Sequence, residues 1–218
     1  MSEQKKTKNE YRKEVQAKLA SLSEDYMREA SAKIALNALN IPEMKEAKKT
    51  GFLGLTKKEK TVLAYCSVGS EPSTLALINS LIESGRRVCL PRCTDLDEEG
   101  RRRDDADVRD AMEARYITGF DDLEPGAYGI PEPKESSEKA DPSDIDIVIL
   151  PCVTCDRSCN RLGHGAGYYD KFLSTVRGDC FKMALCYEEI MSDGIPVESH
   201  DVPADAVITE KTVYRWRR

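Results

Sequence analysis

Between residues 61 and 91 the chain reads strand, helix, strand, and that order leaves few folds open. TVLAYC (61–66) is an apolar run of strand length, and RVCLP (87–91) is a second. Between them a helix is predicted from Pro72 to Ser84, with Pro72 in its first turn and Gly85 as its stop. Two strands joined through a helix of this length lie parallel with a right-handed crossover. Further strands are predicted at MEARYI (112–117), KMALCY (182–187), AVIT (206–209) and VYRW (213–216), with the strongest at DIDIVILP (144–151). The fold class that follows is α/β. A single domain over residues 1–218 carries a largely parallel, Rossmann-like sheet flanked by helices, and ligands gather at the C-terminal strand ends.

Two helices, near 5–20 and 24–40, precede the sheet. Ser23 is the expected cap of the second, and Pro42 lies just past its end. The segments 45–60 and 94–110 are so charged that both are predicted as solvated loops. Lys and Arg total 33 against 39 Asp and Glu, a net charge of -6, which disfavours a nucleic-acid partner. The sequence has no apolar run of membrane-span length and no secretory signal, so no membrane partner is expected. The eight cysteines sit in a chain long enough to fold without disulfides, which favours free thiols in a reducing, cytoplasmic setting.

The segment Arg161-Leu-Gly163-His164-Gly165-Ala166-Gly167-Tyr168-Tyr169-Asp170 follows the strongest strand and opens a helix predicted over 167–176. Glycines at alternate positions let backbone approach a ligand, and N–H groups at a helix start favour anions. Arg161 supplies a forked cation suited to phosphate, and Asp170 a hard oxygen suited to Mg²⁺. The spacing matches neither a Walker loop nor Gly-x-Gly-x-x-Gly. As a glycine pattern alone, a tight structural turn explains it as well as a binding site does.

The run ILP-x-V-x-x-D-x-x-x-NRLGHGAGYYDKFL (149–173) resembles the signature of the 5-formyltetrahydrofolate cyclo-ligases, also called methenyltetrahydrofolate synthetases. Lys8-x-x-Tyr11-Arg12, YCSVGSEPST (65–74), VCLPR (88–92), YGIPEP (128–133), IPVESHD (195–201) and VITE (207–210) occur in that family's order. The resemblance implies ATP- and Mg²⁺-dependent closure of 5-formyltetrahydrofolate to 5,10-methenyltetrahydrofolate, by a monomer acting on small molecules. Carried over by position, Arg161 and Asp170 are the catalytic pair, and Asp170 with Asp201 holds Mg²⁺. Lys8, Arg12, Arg161 and Gly163 to Tyr169 (Gly163, His164, Gly165, Ala166, Gly167, Tyr168, Tyr169) bind ATP. Cys66, Glu71, Tyr128, Gly165, Ala166, Gly167 and Tyr168 bind folate. Taken singly, Lys8 and Arg12 read as a solvated helix face, Glu71 as an acid near a helix start, Tyr128 as a core or turn tyrosine, and Asp201 as a surface acid.

Several positions depart from the family pattern. Cys152, Cys155 and Cys159 stand where the family often has Gly, Phe and Gly, and Ile190 stands where Gln is common. His164 replaces a variable residue, so no catalytic role is expected of it. The spacing Cys152-x-x-Cys155-x-x-x-Cys159, with Cys89-x-x-x-Cys93, supports an alternative from another class: a zinc or iron–sulfur module, or a redox sensor.

Overall fold

The computed structural model describes residues 6–45, 48–50, 56–94, 112–198 and 201–217. Helix α1 spans Lys8–Ser21. It opens on a capping box in which Thr7 receives the Glu10 amide while the Glu10 carboxylate receives the Thr7 amide at 2.7 Å. Its inward stripe is Lys8, Arg12, Val15 and Leu19, spaced four, three and four residues apart, and Val15 is its buried anchor. One face of a polar helix therefore serves both as its attachment and as its source of two cations.

Helix α2 (Glu24–Asn40) starts where expected, with the Ser23 hydroxyl accepting from the Tyr26 amide, and buries Ala30, Ile34 and Ala38. Pro42 opens a further turn, α3 (Pro42–Lys45). Helix α4 (Leu75–Glu83) begins three residues later than predicted. Thr74 and Ser67 exchange hydroxyl–amide hydrogen bonds at 3.1 and 3.2 Å, and Thr74 Oγ1 donates to the Tyr65 carbonyl. Those contacts hold Pro72 in the loop rather than in the first helical turn. Gly85, at φ +78°, stops the helix as predicted. Helix α5 is only Tyr168–Phe172 rather than 167–176, because the Ser174 and Thr175 amides turn back to carbonyls three residues earlier.

The main sheet comprises β1 (Thr61–Leu63), β2 (Arg87–Cys93), β3 (Met112–Ile117), β4 (Ile145–Leu150), β5 (Phe181–Leu185), β6 (Ala206–Ile208) and β7 (Val213–Arg215). Their spatial order is β7-β6-β5-β4-β1-β2-β3. The five inner strands are parallel and the two edges antiparallel. All six residues of β4 are buried, so both faces of the sheet are covered there. On one side α2 packs against α4 and β6. From β1 the chain steps outward to β2, whereas from β4 it steps the other way to β5 and β6. The strand order thus reverses between β1 and β4, where a ligand crevice forms in such sheets.

The predicted loop at 45–60 is corrected in part, because Lys48–Thr50 and Thr56–Lys58 pair as an antiparallel ladder. The charged segment at 94–110 falls, apart from Thr94, outside the described residues. No helix among the described residues is long and apolar enough to cross a membrane.

At a β-bulge between Thr61 and Val62 the side chain of buried Asp146 accepts the Thr61 amide at 3.0 Å. The other oxygen of Asp146 pairs with Arg177 at 2.9 Å. Asp146→Ala is expected to lower the unfolding free energy by about 2 kcal/mol by leaving a buried donor unpaired. Asp146→Asn, which keeps an acceptor, should lose less. A urea unfolding midpoint unchanged in the alanine variant would show that the bulge does not need this carboxylate.

Candidate active site at the strand reversal

The loops after β1 and β4 meet α1 and the residues Glu198, Asp201 and Val202 around a cleft of about 1270 Å³. A single small-molecule site is usually about 300–1,000 Å³, so the cleft has room for two ligands side by side. One of its ends is cationic and glycine-rich, and the other is acidic and aromatic.

The cationic end is built on a hairpin. Arg161 and Leu162 pair antiparallel with Cys155 and Thr154. Asp156 organises the tip, accepting the Ser158 and Asn160 amides at 2.9 and 3.0 Å. The Arg161 guanidinium is almost wholly buried, at 4% exposure. It is bonded to Asp170 on α5 at 2.5 Å and reaches the Pro151 carbonyl at 3.4 Å, while its Nε is buried with no hydrogen-bond partner. A Cβ on Gly163 would lie 2.9 Å from the Arg161 guanidinium, so a larger residue would displace that cation. Gly165, at φ +106°, lies against Arg12, and a Cβ there would be 3.3 Å from its guanidinium.

Helix α1 supplies the other two cations. Arg12 Nε donates to the Gly163 carbonyl at 2.9 Å, fastening α1 to the loop. Lys8 Nζ donates to both Asp201 oxygens at 2.9 and 2.7 Å and to Glu198 at 3.1 Å. Burial alone would depress the Lys8 ammonium pKa, but the bonds to Asp201 and Glu198 raise it overall.

At the other end, Glu71 accepts the Val68 amide at 2.9 Å through one oxygen and meets His164 Nε2 at 2.9 Å through the other. His164 belongs to the glycine loop, so this contact joins the two ends of the cleft. The hydroxyls of Tyr65 and Tyr169 are buried without a partner, and burial pushes both phenols well above their usual pKa. Burial also pushes the Cys66 thiol up to about 11. Glu132 is buried on the cleft wall with its pKa raised, which burial causes despite long bonds from the Cys93 and Ala127 amides.

Lys8, Arg12, Cys66, Glu71, Arg161, the 163–169 loop, Asp170 and Asp201 all line this one cleft. Tyr128 lies in a 3-10 turn (Ala127–Gly129), and its side chain is outside the described residues. His164 meets the acid of the opposite end rather than a loop cation. Sequence reasoning misses Tyr65 and Glu132. Tyr65 follows β1 at a C-terminal strand end, which is a usable signal. Glu132 carries none, because its burial depends on stacking beneath Gly126. Ile190 is not part of the cleft lining; it is a core residue, 2% exposed. The cysteine grouping is corrected as well: Cys152 and Cys155 cluster with Cys186, not with Cys159.

The family model described as the 5-formyltetrahydrofolate cyclo-ligase family matches residues 4–210. A 5-formyltetrahydrofolate cyclo-ligase from Mycolicibacterium smegmatis is 34% identical over 168 residues, covering 76% of this chain and 81% of the relative. The Saccharomyces cerevisiae protein of the same name is 30% identical, covering 72% and 79%. The solution structure of Aquifex aeolicus 5,10-methenyltetrahydrofolate synthetase superposes with a TM-score of 0.74 at 30% identity, covering 97% of this chain and 93% of that one.

The His164–Glu71 contact generates a pH prediction. The hydrogen bond to Glu71 raises the His164 pKa, with burial opposing it. The contribution of the pair is therefore complete below the unfolded histidine pKa and is lost as pH rises through the higher folded value. An NMR titration should place the His164 midpoint above that of an unperturbed histidine, and Glu71→Gln should bring it back down. A His164 midpoint unmoved by Glu71→Gln would break the link between the two ends.

Proposed function

The chain belongs to the 5-formyltetrahydrofolate cyclo-ligase family, and we propose that its two-ended cleft holds ATP at the glycine loop and the reduced folate at the Glu71 end. The enzyme closes 5-formyltetrahydrofolate to 5,10-methenyltetrahydrofolate. The observation that carries the assignment of the two ends is the Arg161 guanidinium, buried under Gly163 with one donor unmet. An unpaired buried donor of this kind calls for an anionic acceptor that arrives with the ligand.

The chemical difficulty is that an N-formyl oxygen leaves poorly. Transfer of the γ-phosphoryl of ATP to that oxygen releases ADP and turns the oxygen into part of a phosphate. N10 then attacks the formyl carbon and loses its proton, and expulsion of phosphate leaves the methenyl bridge. No side-chain nucleophile takes part. The protein contributes positioning and charge neutralisation. Arg161 provides two-pronged support to the transferring group, Lys8 and Arg12 hold the remaining phosphates, and Glu71 accepts the N–H donors of the pterin. The unpartnered Tyr65 and Tyr169 hydroxyls suit the polar atoms of a bound ligand.

Two of the three cations are engaged by the two carboxylates expected to hold Mg²⁺: Arg161 by Asp170 and Lys8 by Asp201. These hard oxygen donors fit Mg²⁺, which usually takes one or two carboxylates and completes its shell with phosphate oxygens and water. When bound, the ion would offset charge on the triphosphate. Asp170 and Asp201 would hold the ion, and Arg161 and Lys8, now paired with them, would be the cations left to meet the phosphates. The eight free cysteines support a reducing, cytoplasmic setting.

Incubation with 5-formyltetrahydrofolate, ATP and Mg²⁺ should yield the methenyl product, followed by its absorbance. Arg161→Ala should reduce turnover about 10³-fold, the scale of losing a transition-state arginine. Arg161→Lys should recover only part, because a point charge lacks the fork. Full turnover in the alanine variant would remove Arg161 from the reaction.

Asp170→Asn and Asp201→Asn should each raise the Mg²⁺ concentration needed for half-maximal rate. Their combination should be less than additive, because both act through one ion. Unchanged Mg²⁺ dependence in both single variants would mean that the nucleotide alone carries the metal.

A further inference from the structure

Cys152, Cys155 and Cys186 converge behind the cleft wall. Leu150 of β4 lies opposite Ala184 of β5, so residues 152 and 186, each two positions further on, leave the sheet side by side. The hairpin that carries Arg161 folds Cys155 back over them, and the Ser192 amide holds that turn by donating to the Cys155 carbonyl at 2.9 Å. The three sulfurs all lie within 4.8 Å of one another. Cys152 is 4% exposed, and the other two are fully buried. All three are free thiols.

Stoichiometry and charge decide what such a trio can hold. Structural zinc takes four ligands, and among the described residues no fourth His, Cys, Asp or Glu joins the group. Enclosure leaves no bulk water to fill the vacant position. Net charge in a buried site is costly, which disfavours three thiolates around Zn²⁺ (net −1) or Cu⁺ (net −2). A trivalent thiophilic centre needs only three sulfurs in a pyramid, and it is neutral once bound. Three sulfurs each about 2.3 Å from one centre stand roughly 3.5 Å apart, so the trio has to close by little more than about 1 Å. The neighbouring Cys155 and Cys186 thiols hold the Cys152 pKa below the usual thiol value, with burial opposing them and Arg161 adding to the effect.

We propose that Cys152, Cys155 and Cys186 form a three-thiol site for a trivalent thiophilic ion of the arsenite class. Arsenous acid exchanges its three hydroxyls for three sulfurs: three As–S bonds form and three As–O bonds break. Each thiol proton leaves with a hydroxyl as water, and no oxidation state changes. Pro151, next to Cys152, lines the cleft and offers its carbonyl to Arg161, so a bound ion sits directly beneath the hairpin that presents that cation. The site stands independently of how the cleft is used.

The test is equilibration of the reduced full-length chain with arsenite, followed by native mass spectrometry and a thiol count after denaturation. One arsenic per chain with three thiols protected is expected, reversed by excess dithiol. Cys186→Ala and Cys155→Ser should each weaken binding about 10²-fold or more through loss of the third arm. Cys159→Gly should bind as the parent does. Cys159 is buried outside the trio at φ 65°, so glycine there relieves rather than imposes strain. Circular dichroism confirms that each variant is folded before its binding is scored. No arsenic uptake, equal uptake by folded Cys186→Ala, near-stoichiometric zinc retained against arsenite, or a two-hydrogen mass loss without an ion would each overturn the proposal.

Discussion

The ion pair between the buried Arg161 side chain and the half-buried Asp170 is the constraint from which the rest of the site follows. A guanidinium at 4% exposure has lost most of its hydration, and a lone charge there would be strongly destabilising. Asp170 compensates it, which requires α5 to start within one turn of the loop and forces the intervening residues into a tight path. Gly163 must leave room for the guanidinium, and Gly167, at φ +76°, must turn the chain into α5. The hairpin stem fixes where Arg161 departs, and the buried strand β4 fixes the stem. Gly163 and Gly167 are thus consequences of placing one cation, while Gly165 makes room for Arg12.

The same logic explains why α1 can be so polar. Its buried anchor is Val15, yet its N-terminal turns are fastened to residues more than 150 positions away, Arg12 to Gly163 and Lys8 to Asp201. Cations that would otherwise repel one another across the cleft are distributed among carboxylates and carbonyls. A net-acidic chain can therefore gather positive charge locally without exposing a basic surface. The cationic end is thus neutralised internally, by Asp170 at Arg161 and by Asp201 and Glu198 at Lys8.

Much of this was legible in the sequence because it rests on local physics. The apolar run at 145–150, the Ser23 cap, the Gly85 stop and the alternating glycines each have a meaning that neighbouring residues reveal. The failures share a different cause. The late start of α4 depends on Thr74 bonding to Ser67 and Tyr65, and the early end of α5 on amides reverting to shorter-range bonds. The ladder at 48–58 has no apolar alternation to announce it. Cys186 joins Cys152 through the register of neighbouring parallel strands, whereas Cys159, favoured by spacing, is turned away by the hairpin tip. Family resemblance named the cleft residues, but it did not disclose that Lys8 and Arg161 are already paired with Asp201 and Asp170.

Ile190 shows how one departure from the family pattern is absorbed. The side chain is buried in the core, while the backbone carbonyl accepts the Thr154 hydroxyl at 2.6 Å. Thr154 pairs with Leu162 in the stem that delivers Arg161, so position 190 supports the site from behind. An apolar side chain strengthens that support, since burying an amide there would demand hydrogen-bond partners that the core would have to supply. The cysteines at 152, 155 and 186 occupy the same layer, where compact, weakly polar side chains pack without strong hydrogen-bond demands. Replacement within this layer therefore leaves the stem that places Arg161 intact while changing the side chains packed behind it.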